Sequence, residues 1–505
     1  MIILIGLIFI HITNAATPQL KTQQLSDHSA DSDLIATSQL LQQQQFASSF
    51  TPSNQKPSNF TCLFNVSQSG LANFRSVAEA LNQTCNETDG YEINLLDSEH
   101  IESLEINKNS SIIIKGNNKV QTIWHLDSPH RQLINLNFGN LTLENIDFQF
   151  VVLSKWYSMI QPSYYLISVG SDPFNSPQLT IKLCKFHSLS HSYKYLIHQI
   201  RIRCVDNLQI IDTVFSGIGT EEVSYISLLQ VNSFKNLYLK NCTFQNASIN
   251  TTTEPVFLNG IDEVISASIL DCQFINITTN NENCHSALAL FCIRNIKTII
   301  TGNKFTNCKS VNSGSGALSI YDYEFENQPD EFVINNNTFT NNTGINSGAI
   351  FFLTINNQSK YSFNFNTFVS NRNNQTDMHG QDVFLIIYDP PLSWTIDNIT
   401  VIMSSIFNGS VSDALNNSVF FKVRLYNYTD YSGGIILHYQ PAPQPQKKRM
   451  SAWAVIGIIV FSVLVLINVL LVVVTIGLVL KNRQKYEGNI AEHSPLLINS
   501  QFQSQ

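Results

Sequence analysis

A short apolar run that ends in phenylalanine recurs through the middle of this chain. The intervals between successive phenylalanines are 38, 29, 29, 30, 31, 34, 29 and 39 residues, so six of the eight intervals lie between 29 and 34. Such a repeat constrains the fold strongly, because each unit buries its apolar face only by stacking on its neighbours. The repeated residues are Phe148, Phe186, Phe215, Phe244, Phe274, Phe305, Phe339, Phe368 and Phe407.

Apolar and polar residues tend to alternate within each run, as Leu237 and Leu239 show before Phe244. A second short apolar run follows several of the phenylalanines, for example at residues 347–353. Short alternating runs between Asn- and Gly-rich turns are typical of strands. Each period thus holds at least two strands and no convincing helix, which excludes a helical solenoid, and a propeller blade needs about 40–50 residues. The pattern predicts an all-β parallel β-helix, or solenoid.

Each position of the repeat acquires a role in such a stack. The phenylalanines are expected to point inward and to form one column of rings. The residues two positions earlier are mostly small or polar, and Asn follows several of the phenylalanines, where it tolerates the left-handed conformation of a tight bend. These amides are expected to bond to one another as a ladder. The ladder and a glycan compete for Asn341, and if the ladder forms we expect Asn341 to turn inward and to carry no glycan.

The N-terminal end of the repeat contains an amphipathic segment at residues 71–83. Leu71, Phe74, Val77 and Leu81 lie on one face of a helix at this spacing. An open β-helix end exposes strand edges, so we expect this helix to cap it. Cys62 and Cys85 flank the segment, and whether they pair stays open. The chain has nine cysteines, an odd number, so at least one remains free or pairs with another chain.

Two hydrophobic segments bracket the repeat. Residues 1–15 resemble a secretory signal peptide without its basic n-region, and a buried N-terminal strand is the alternative. Residues 452–480 carry no charge and exceed the roughly 20 residues of a spanning helix. The sequence therefore predicts a single-pass type I protein with one transmembrane α-helix. Its segments are 1–15 signal peptide, 16–57 disordered Gln/Ser-rich leader, 58–430 β-helix ectodomain, 431–450 Pro/Gln-containing linker, 451–480 transmembrane helix and 481–505 cytosolic tail.

Acceptor sites for N-linked glycans, Asn-X-Ser/Thr, lie between these two hydrophobic segments. Several of them, including Asn246, Asn276 and Asn341, coincide with predicted bends of the β-helix. The remaining candidates for glycosylation are Asn59, Asn65, Asn82, Asn86, Asn109, Asn140, Asn357, Asn374, Asn398, Asn408, Asn416 and Asn427.

Composition excludes some classes of function. Hydrophobic residues are 43% and charged residues 13%, with a net charge of −8, and no basic patch points to nucleic acid. No CxxC or Cys/His spacing suggests zinc, and we expect no cofactor. In the tail, "EHSPLL" is similar to the acidic dileucine sorting signal. The resemblance implies that Glu492, Leu496 and Leu497 contact a sorting adaptor.

The sequence from about residue 70 to 425 resembles the pectin-lyase-like superfamily of right-handed parallel β-helices. The resemblance rests on the capping segment, "GYEINLL" (90–96), "SIIIKGNNKVQTIWHL" (111–126) and the Phe-Asn coils. The FxxN motif of Phe339–Asn342, followed by Ser-Gly-Ala-Ile (347–350), is also similar to polymorphic outer-membrane protein repeats, with the second motif relaxed. Proteins with those repeats are surface adhesins, so the resemblance implies a similar role.

The residues that perform catalysis in polygalacturonase-like members of this superfamily have no ordered equivalent. This chain has "QTD" (375–377), "MHG" (378–380) and "RIR" (201–203) in the wrong order and lacks the Asp pair. Asp212 and Asp271 are two coils apart, which corresponds to about 10 Å by strand spacing. This separation favours ordinary solvated carboxylates over an acid/base pair. His187, His191 and His198 cluster in sequence without metal-ligand spacing.

We therefore expect a membrane glycoprotein whose ectodomain is a non-catalytic adhesion surface that binds a glycan or a protein. It would reside at the plasma membrane or in endosomal or lysosomal membranes, with its N-terminus outside the cytosol. The alternative is a diverged, membrane-tethered polysaccharide lyase or hydrolase. The missing acid clusters favour the first interpretation, because function resides in the site rather than in the fold.

Overall fold

The chain coils into a right-handed parallel β-helix in a computed structural model. Successive coils stack to form two sheets of 11 and 26 strands. The residues that the structure describes are 62–85, 90–125, 132–151, 164–170, 177–189, 197–217, 225–249, 254–260, 266–281, 286–292, 297–311, 314–323, 330–355, 358–374, 380–388, 390–391, 393–425, 430–437, 467–468 and 470–480.

The 11-stranded sheet forms the first row, and all of its pairings are parallel. Leu237 and Leu239 of its seventh strand are buried, as the alternating pattern predicts. The strands of this row are β1 (Cys62–Val66), β2 (Tyr91–Leu95), β5 (Ser111–Lys115), β8 (Asn140–Glu144), β11 (Gln178–Lys182), β14 (Val205–Ile211), β17 (Phe234–Lys240), β20 (Ser266–Leu270), β23 (Lys297–Thr301), β27 (Glu331–Asn335) and β31 (Lys360–Ser362).

The larger sheet contains two rows of strands, which follow the first-row strand in each coil. The earlier of these, the second row, carries the repeated phenylalanines up to Phe368. Its strands are β3 (Glu99–Ile101), β6 (Thr122–His125), β9 (Ile146–Val151), β12 (Lys185–Leu189), β15 (Val214–Ser216), β18 (Thr243–Ile249), β21 (Gln273–Thr279), β24 (Lys304–Thr306), β25 (Lys309–Ser310), β28 (Thr338–Thr340), β29 (Thr343–Gly344), β32 (Thr367–Val369), β33 (Arg372–Asn373) and β35 (Val411–Ser412).

A third row completes each coil, and its last strand pairs antiparallel with its neighbour. Its strands are β4 (Leu104–Ile106), β7 (Gln132–Leu136), β10 (Tyr164–Val169), β13 (Ile197–Ile202), β16 (Tyr225–Val231), β19 (Val256–Gly260), β22 (Leu288–Cys292), β26 (Leu318–Asp322), β30 (Ile350–Thr354), β34 (Val383–Tyr388), β36 (Val419–Arg424) and β37 (Asp430–Ile435). The described helices with named bounds are α1 (Val77–Leu81) and α2 (Ile399–Ile406).

The predicted column of rings is confirmed from Phe148 to Phe368. All eight phenylalanines are fully buried, and successive ring centroids lie 4.5–5.2 Å apart with interplanar angles of 6–16°. Trp124 extends the column by one coil, with its centroid 6.0 Å from that of Phe148. Each ring contributes about 1.5–3 kcal/mol by burial alone, so the column is a large part of the core.

The prediction that Phe407 belongs to this column is wrong. Residues 400–406 are helical rather than extended, and Phe407, which follows the helix, stacks on Phe363 with centroids 5.1 Å apart. In the sheet, the partner of Phe368 on the next coil is Ser412. The reason is a second apolar period: Ile399, Met403 and Phe407 are spaced by four and are all buried, which is the pattern of one helix face.

Helix α2 closes the C-terminal end of the first row. Beyond the last strand of that row, the backbone N–H of Phe363 donates to the carbonyl oxygen of Ile406 at 2.8 Å, and that of Phe365 donates to Asn408 at 3.0 Å. The last residue of the helix and the turn that follows it therefore supply acceptors to the edge that a further coil would have paired.

The predicted bends adopt left-handed backbone geometry. Asn246, Asn276, Asn307 and Asn341 have φ values of 53–55°, two residues after the phenylalanine. A second column of positive φ lies at the corner before it. Its members are Asn145, Leu183, Asp212, Asn241, Asp271, Gly302, Asn336 and Phe365. Asn and Asp are the side chains that best tolerate this conformation, which accounts for the recurrence of Asn at these positions of the repeat.

At the corner after the phenylalanines, one amide ladder runs outside the stack and one runs inside it. Asn341 is exposed, and its Nδ2 donates to Asn307 Oδ1 at 2.6 Å, so the prediction that Asn341 turns inward is wrong. The buried amide is that of Asn342, whose Nδ2 donates to the carbonyl oxygen of Phe305 at 3.0 Å. The left-handed residue points outward at the corner, and the residue after it points into the core.

A further buried ladder comprises Asn303, Asn337 and Asn366, two residues before the phenylalanines. Asn337 Oδ1 accepts from the backbone N–H of Asn303 at 2.9 Å, and its Nδ2 donates to the carbonyl oxygen of Ile300 at 2.8 Å. These side chains satisfy backbone groups that the corner leaves unpaired inside the core.

The N-terminal segment contains the short helix α1 within the predicted range 71–83. Val77, Ala80 and Leu81 are buried, whereas Leu71 is 78% exposed and does not join the apolar face. The Glu102 carboxylate accepts from the N–H groups of Val77 at 2.8 Å and Ala78 at 2.9 Å. This charge ties the helix N-terminus to the first coils.

A disulfide joins Cys62 to Cys85, which flank helix α1. Strand β37 continues the fold to Ile435, within the range predicted as linker. Among the described residues, no helix is long and apolar enough to cross a membrane. Residues 467–468 and 470–480 of the predicted span are helical, and the rest of that span lies outside the described part of the chain, as do the predicted signal peptide, leader and tail.

Replacing Asn337 by Leu should lower the free energy of unfolding by about 2–4 kcal/mol, because the Asn303 N–H and the Ile300 carbonyl lose their buried partner. Urea unfolding of the full-length chain in detergent, followed by circular dichroism, measures the change. Asn341→Gly is the matched control, since it keeps the positive φ and removes an exposed amide, and should cost at most about 1 kcal/mol. Equal losses in both variants would refute the difference between the buried ladder of Asn337 and the exposed ladder of Asn341.

Candidate functional site

The outer face of the third row carries a second hydrophobic cluster, separate from the core. In β30, Ile350 and Phe352 point into the core, while Phe351 between them belongs to the outer cluster. Alternation along a strand places such residues on opposite faces. We call this cluster the aromatic patch, and its members are Phe291, Tyr321, Phe351, Leu353, Phe384, Ile386 and Phe420.

The rings of the aromatic patch form a continuous contact across five coils. Ring centroids are 4.5 Å apart for Phe291 and Tyr321, 5.4 Å for Tyr321 and Phe351, and 5.8 Å for Phe351 and Phe384. Phe420 lies 5.8 Å beyond Phe384. Tyr321, Phe351 and Phe384 are only 3–6% exposed, whereas the other members are half-buried. The centre of the patch is therefore buried, and its edges are accessible.

Polar groups border the patch at its C-terminal side. Lys422 Nζ lies 5.5 Å from the ring centroid of Phe384, and the Arg424 guanidinium lies 5.1 Å from that of Tyr388. Arg424 Nε also donates to Asp430 at 2.8 Å. Tyr323 stacks 5.7 Å from Tyr321. Cations over rings and tyrosine hydroxyls beside them give this face both apolar contact area and hydrogen-bonding groups.

Burial affects the tyrosine hydroxyls of this region. Burial raises the pKa of Tyr321 well above its usual value, and the nearby Glu254 carboxylate raises it further. The pKa of Tyr323 is also raised by burial and then by Tyr388. Both hydroxyls therefore remain protonated at physiological pH.

The carboxylates considered as catalytic candidates lie at corners of the fold. Asp212 and Asp271 are exposed and have φ values of 51° and 55°. Asn241, on the coil between them, donates its Nδ2 to Asp212 Oδ1 at 3.0 Å. The two aspartates thus occupy equivalent places in the outer corner column, separated by a full coil, and the structure does not bring them together.

The histidines that cluster in sequence are separated in space. His187 Nε2 lies 2.7 Å from Asp147 Oδ1 on the second row. His198, on the third row, is buried, and its Nδ1 lies 2.8 Å from Ser227 Oγ. Burial and then the Arg201 charge lower the pKa of His198 to about 3. His191 lies outside the described residues, among which no group of three or more His, Cys, Asp or Glu side chains could hold a metal.

The other residues singled out from the sequence are distributed as follows. Arg201 of "RIR" donates Nη1 to the Tyr165 hydroxyl at 2.6 Å. Residues 375–379, which include most of "QTD" and "MHG", lie outside the described residues, as do Glu492, Leu496 and Leu497. Glycosylation candidates Asn65, Asn82, Asn109, Asn140, Asn374, Asn408 and Asn416 are exposed, Asn398 is half-buried, and Asn59, Asn86, Asn357 and Asn427 lie outside the described part.

A buried carboxyl that the sequence did not single out lies directly before β34. Asp382 is 1% exposed. Its Oδ1 accepts from Asn371 Nδ2 at 3.0 Å and its Oδ2 from Ser412 Oγ at 2.5 Å. Burial raises the pKa of Asp382 to about 7, against the effect of these two donors. Asn371 and Ser412 are remote in sequence, so no local motif announces this cluster.

Comparison with known proteins found no matching family model, curated protein or solved structure. The resemblance to pectin-lyase-like proteins and to outer-membrane protein repeats is therefore supported only at the level of architecture. That architecture, a parallel β-helix built from repeated coils, is present in this chain.

The buried thiols of the core should not react with alkylating agents in the native state. Cys184 and Cys308 are buried, and burial raises the pKa of each to about 12, which leaves almost no thiolate at neutral pH. Iodoacetamide labelling followed by mass spectrometry should modify both only after unfolding. A Leu63→Cys variant, which places a thiol at an exposed position of β1, is the positive control. Native labelling of Cys184 or Cys308 at the control rate would contradict the packing.

Proposed function

We propose that this chain is a non-catalytic, membrane-anchored glycoprotein whose β-helix binds a glycan or protein ligand through the aromatic patch. The observation that supports the proposal is the outward-facing cluster of Phe291, Tyr321, Phe351, Phe384 and Phe420, which lies apart from the core. Contiguous apolar surface outside a core commonly marks an interaction site.

The outer face that carries the aromatic patch differs in composition from the outer face of the first row. On β17 of the first row, for example, the residues that alternate with the buried Leu237 and Leu239 are Asn236, Tyr238 and Lys240. The outer positions of β30 and β34, in the third row, include Phe351, Leu353, Phe384 and Ile386. These large apolar side chains form a cluster of their own outside the main core, and binding at its accessible edges is the physical reason for them that we favour.

The chemistry of the border suits a ligand that combines apolar faces with polar edges. Tyr323 and Tyr388 offer hydroxyls, and Lys422 offers an ammonium group beside the Phe384 ring. Aromatic rings stack on the apolar faces of sugar rings and also dominate protein interfaces. We place a glycan first, because hydroxyl-rich ligands use such mixed borders, and we treat a protein as the second ligand class.

The predicted topology provides the membrane anchor and the way to the cell surface. The last described strand, β37, ends at Ile435, and the predicted span begins at residue 451. A fully extended segment of this length reaches at most about 50–55 Å, so the patch would lie close to the membrane. At the far end of the β-helix, we propose that α1 acts as the lid of the stack, supported by its buried Val77 and Leu81 and by the Glu102 contact.

A glycan array probed with the full-length chain in detergent micelles tests the binding surface. Replacing both Tyr323 and Lys422 by Ala should weaken retention at least about tenfold, the effect of losing roughly 1.4 kcal/mol of contact energy. These side chains lie at the accessible border, so the fold should be preserved.

Leu63→Ser, at an exposed apolar position of the first row, is the matched control and should bind as the wild type does. Retention that survives the double substitution would refute the aromatic patch as the binding surface. Capture of no glycan by the wild type would refute a glycan ligand, and turnover of any polysaccharide on the array would refute the non-catalytic assignment.

A further inference from the structure

Asp382 links the strands that carry the aromatic patch. Its backbone N–H donates to the carbonyl oxygen of Ser418 at 3.0 Å, and its carbonyl oxygen accepts from Ala349 and Ile350 at 2.9 Å each. Asp382 therefore joins β30 on one side to the start of β36 on the other. Strands β30, β34 and β36 together present Phe351, Phe384 and Phe420.

The Asp382 carboxyl lies in a neutral hydrogen-bonding cluster. Asn371 and Ser412 bond its two oxygens, and neither carries a charge. The charged group that acts on it is another carboxylate, Asp413. Among the described residues of β30, β34, β35 and β36, no cation forms an ion pair with Asp382. A fully buried carboxylate without a cation is costly, because desolvation penalises the ionised form.

We propose that protonation of Asp382 holds the last coils of the β-helix together and thereby regulates the aromatic patch, ordering it in acid and loosening it as the pH rises. The effect of this protonation on ligand binding rests on the proposed function, whereas its effect on the packing of the last coils does not. The predicted endosomal sorting of this chain would bring it through compartments in which this proton is gained.

The cluster accepts the proton without rearrangement. With Asp382 ionised, Ser412 donates its hydroxyl to Oδ2. With Asp382 protonated, the carboxyl donates to Ser412 Oγ, which already accepts from the backbone N–H of Ala414 at 2.9 Å. The hydrogen bond is kept in both states, so the change between them is the appearance of a buried negative charge.

The sign of the effect follows from linkage. The pKa of Asp382 is about 7 in the folded coil, above the 3.8 of an unperturbed aspartate. The fold therefore binds this proton more tightly than the opened chain does. Its stabilising effect is fully present below about pH 4 and is lost as the pH rises through about 7.

Hydrogen exchange of the full-length chain in detergent, followed by mass spectrometry, tests the coupling. Between pH 5.5 and pH 8, and after correction for intrinsic exchange, the opening equilibrium of residues 383–388 and 419–424 should rise roughly 30-fold. Strand β8, remote from Asp382 in the stack, should show no such change.

Asp382→Asn replaces the carboxyl by a neutral group of the same shape and should abolish the pH dependence. Asp397→Asn, which neutralises an exposed carboxylate, is the matched control and should retain it. Should Asp382→Asn not fold, Ser412→Ala provides the second test. It removes a donor that stabilises the carboxylate, and should move the midpoint of the transition to higher pH.

Wild-type exchange that does not change with pH, or an unchanged pH dependence in a folded Asp382→Asn chain, overturns the proposal. The same glycan array, run at pH 5.5 and pH 8, separates the effect of the proton on coil packing from its effect on ligand binding. Coupling in exchange without any binding refutes the proposed function and leaves the switch intact. Binding that is independent of pH, together with exchange that depends on it, refutes the regulation of the patch.

Discussion

The stacking of one phenylalanine on the next fixes the register on which the rest of this β-helix depends. Phe215 pairs with Phe244, and Phe244 with Phe274, so every coil meets its neighbours in the same alignment. A slip by one residue would move each inward ring to the outer face. Because the column continues from Trp124 to Phe368, the two sheets and the corners between them inherit a single alignment.

Register alone does not satisfy the polar groups that each corner buries, and the chain solves this differently in its two halves. In the N-terminal coils, Thr213 and Cys242 bond to carbonyls close by: Thr213 Oγ1 donates to Ile211 at 2.9 Å. In the C-terminal coils, Asn303, Asn337 and Asn366 connect neighbouring coils through amides. An amide donates and accepts at once, so the C-terminal coils are cross-linked by side chains as well as by strands.

The sequence predicted the repeat, the ring column and the Asn bends because each is encoded within about 30 residues. The prediction failed where a strand pattern and a helix pattern coincide, and where hydrogen-bonding partners are remote in sequence. Residues 400–407 end in Phe as the strand runs do, yet Ile399, Met403 and Phe407 also fit one face of a helix. Among the described strands, none follows β31 in the first row, so a strand at residues 400–407 would have lacked a partner on its outer side, which favours the helix. Asn341 and Asn342 are chemically identical, so only the left-handed corner shows which one faces the core.

The regular and irregular parts of the fold thus have different tasks. A column of identical rings tolerates little change, since each member packs on two neighbours. The outer face is free to vary, and the aromatic patch occupies it in the coils nearest the C-terminal cap. Asp382, the one acidic side chain that bonds both Asn371 of the amide ladder and Ser412 of the last second-row strand, lies at that junction. A charge at Asp382 destabilises β34 and β36 first, and the stacked core only through them. These two strands carry the accessible border of the patch.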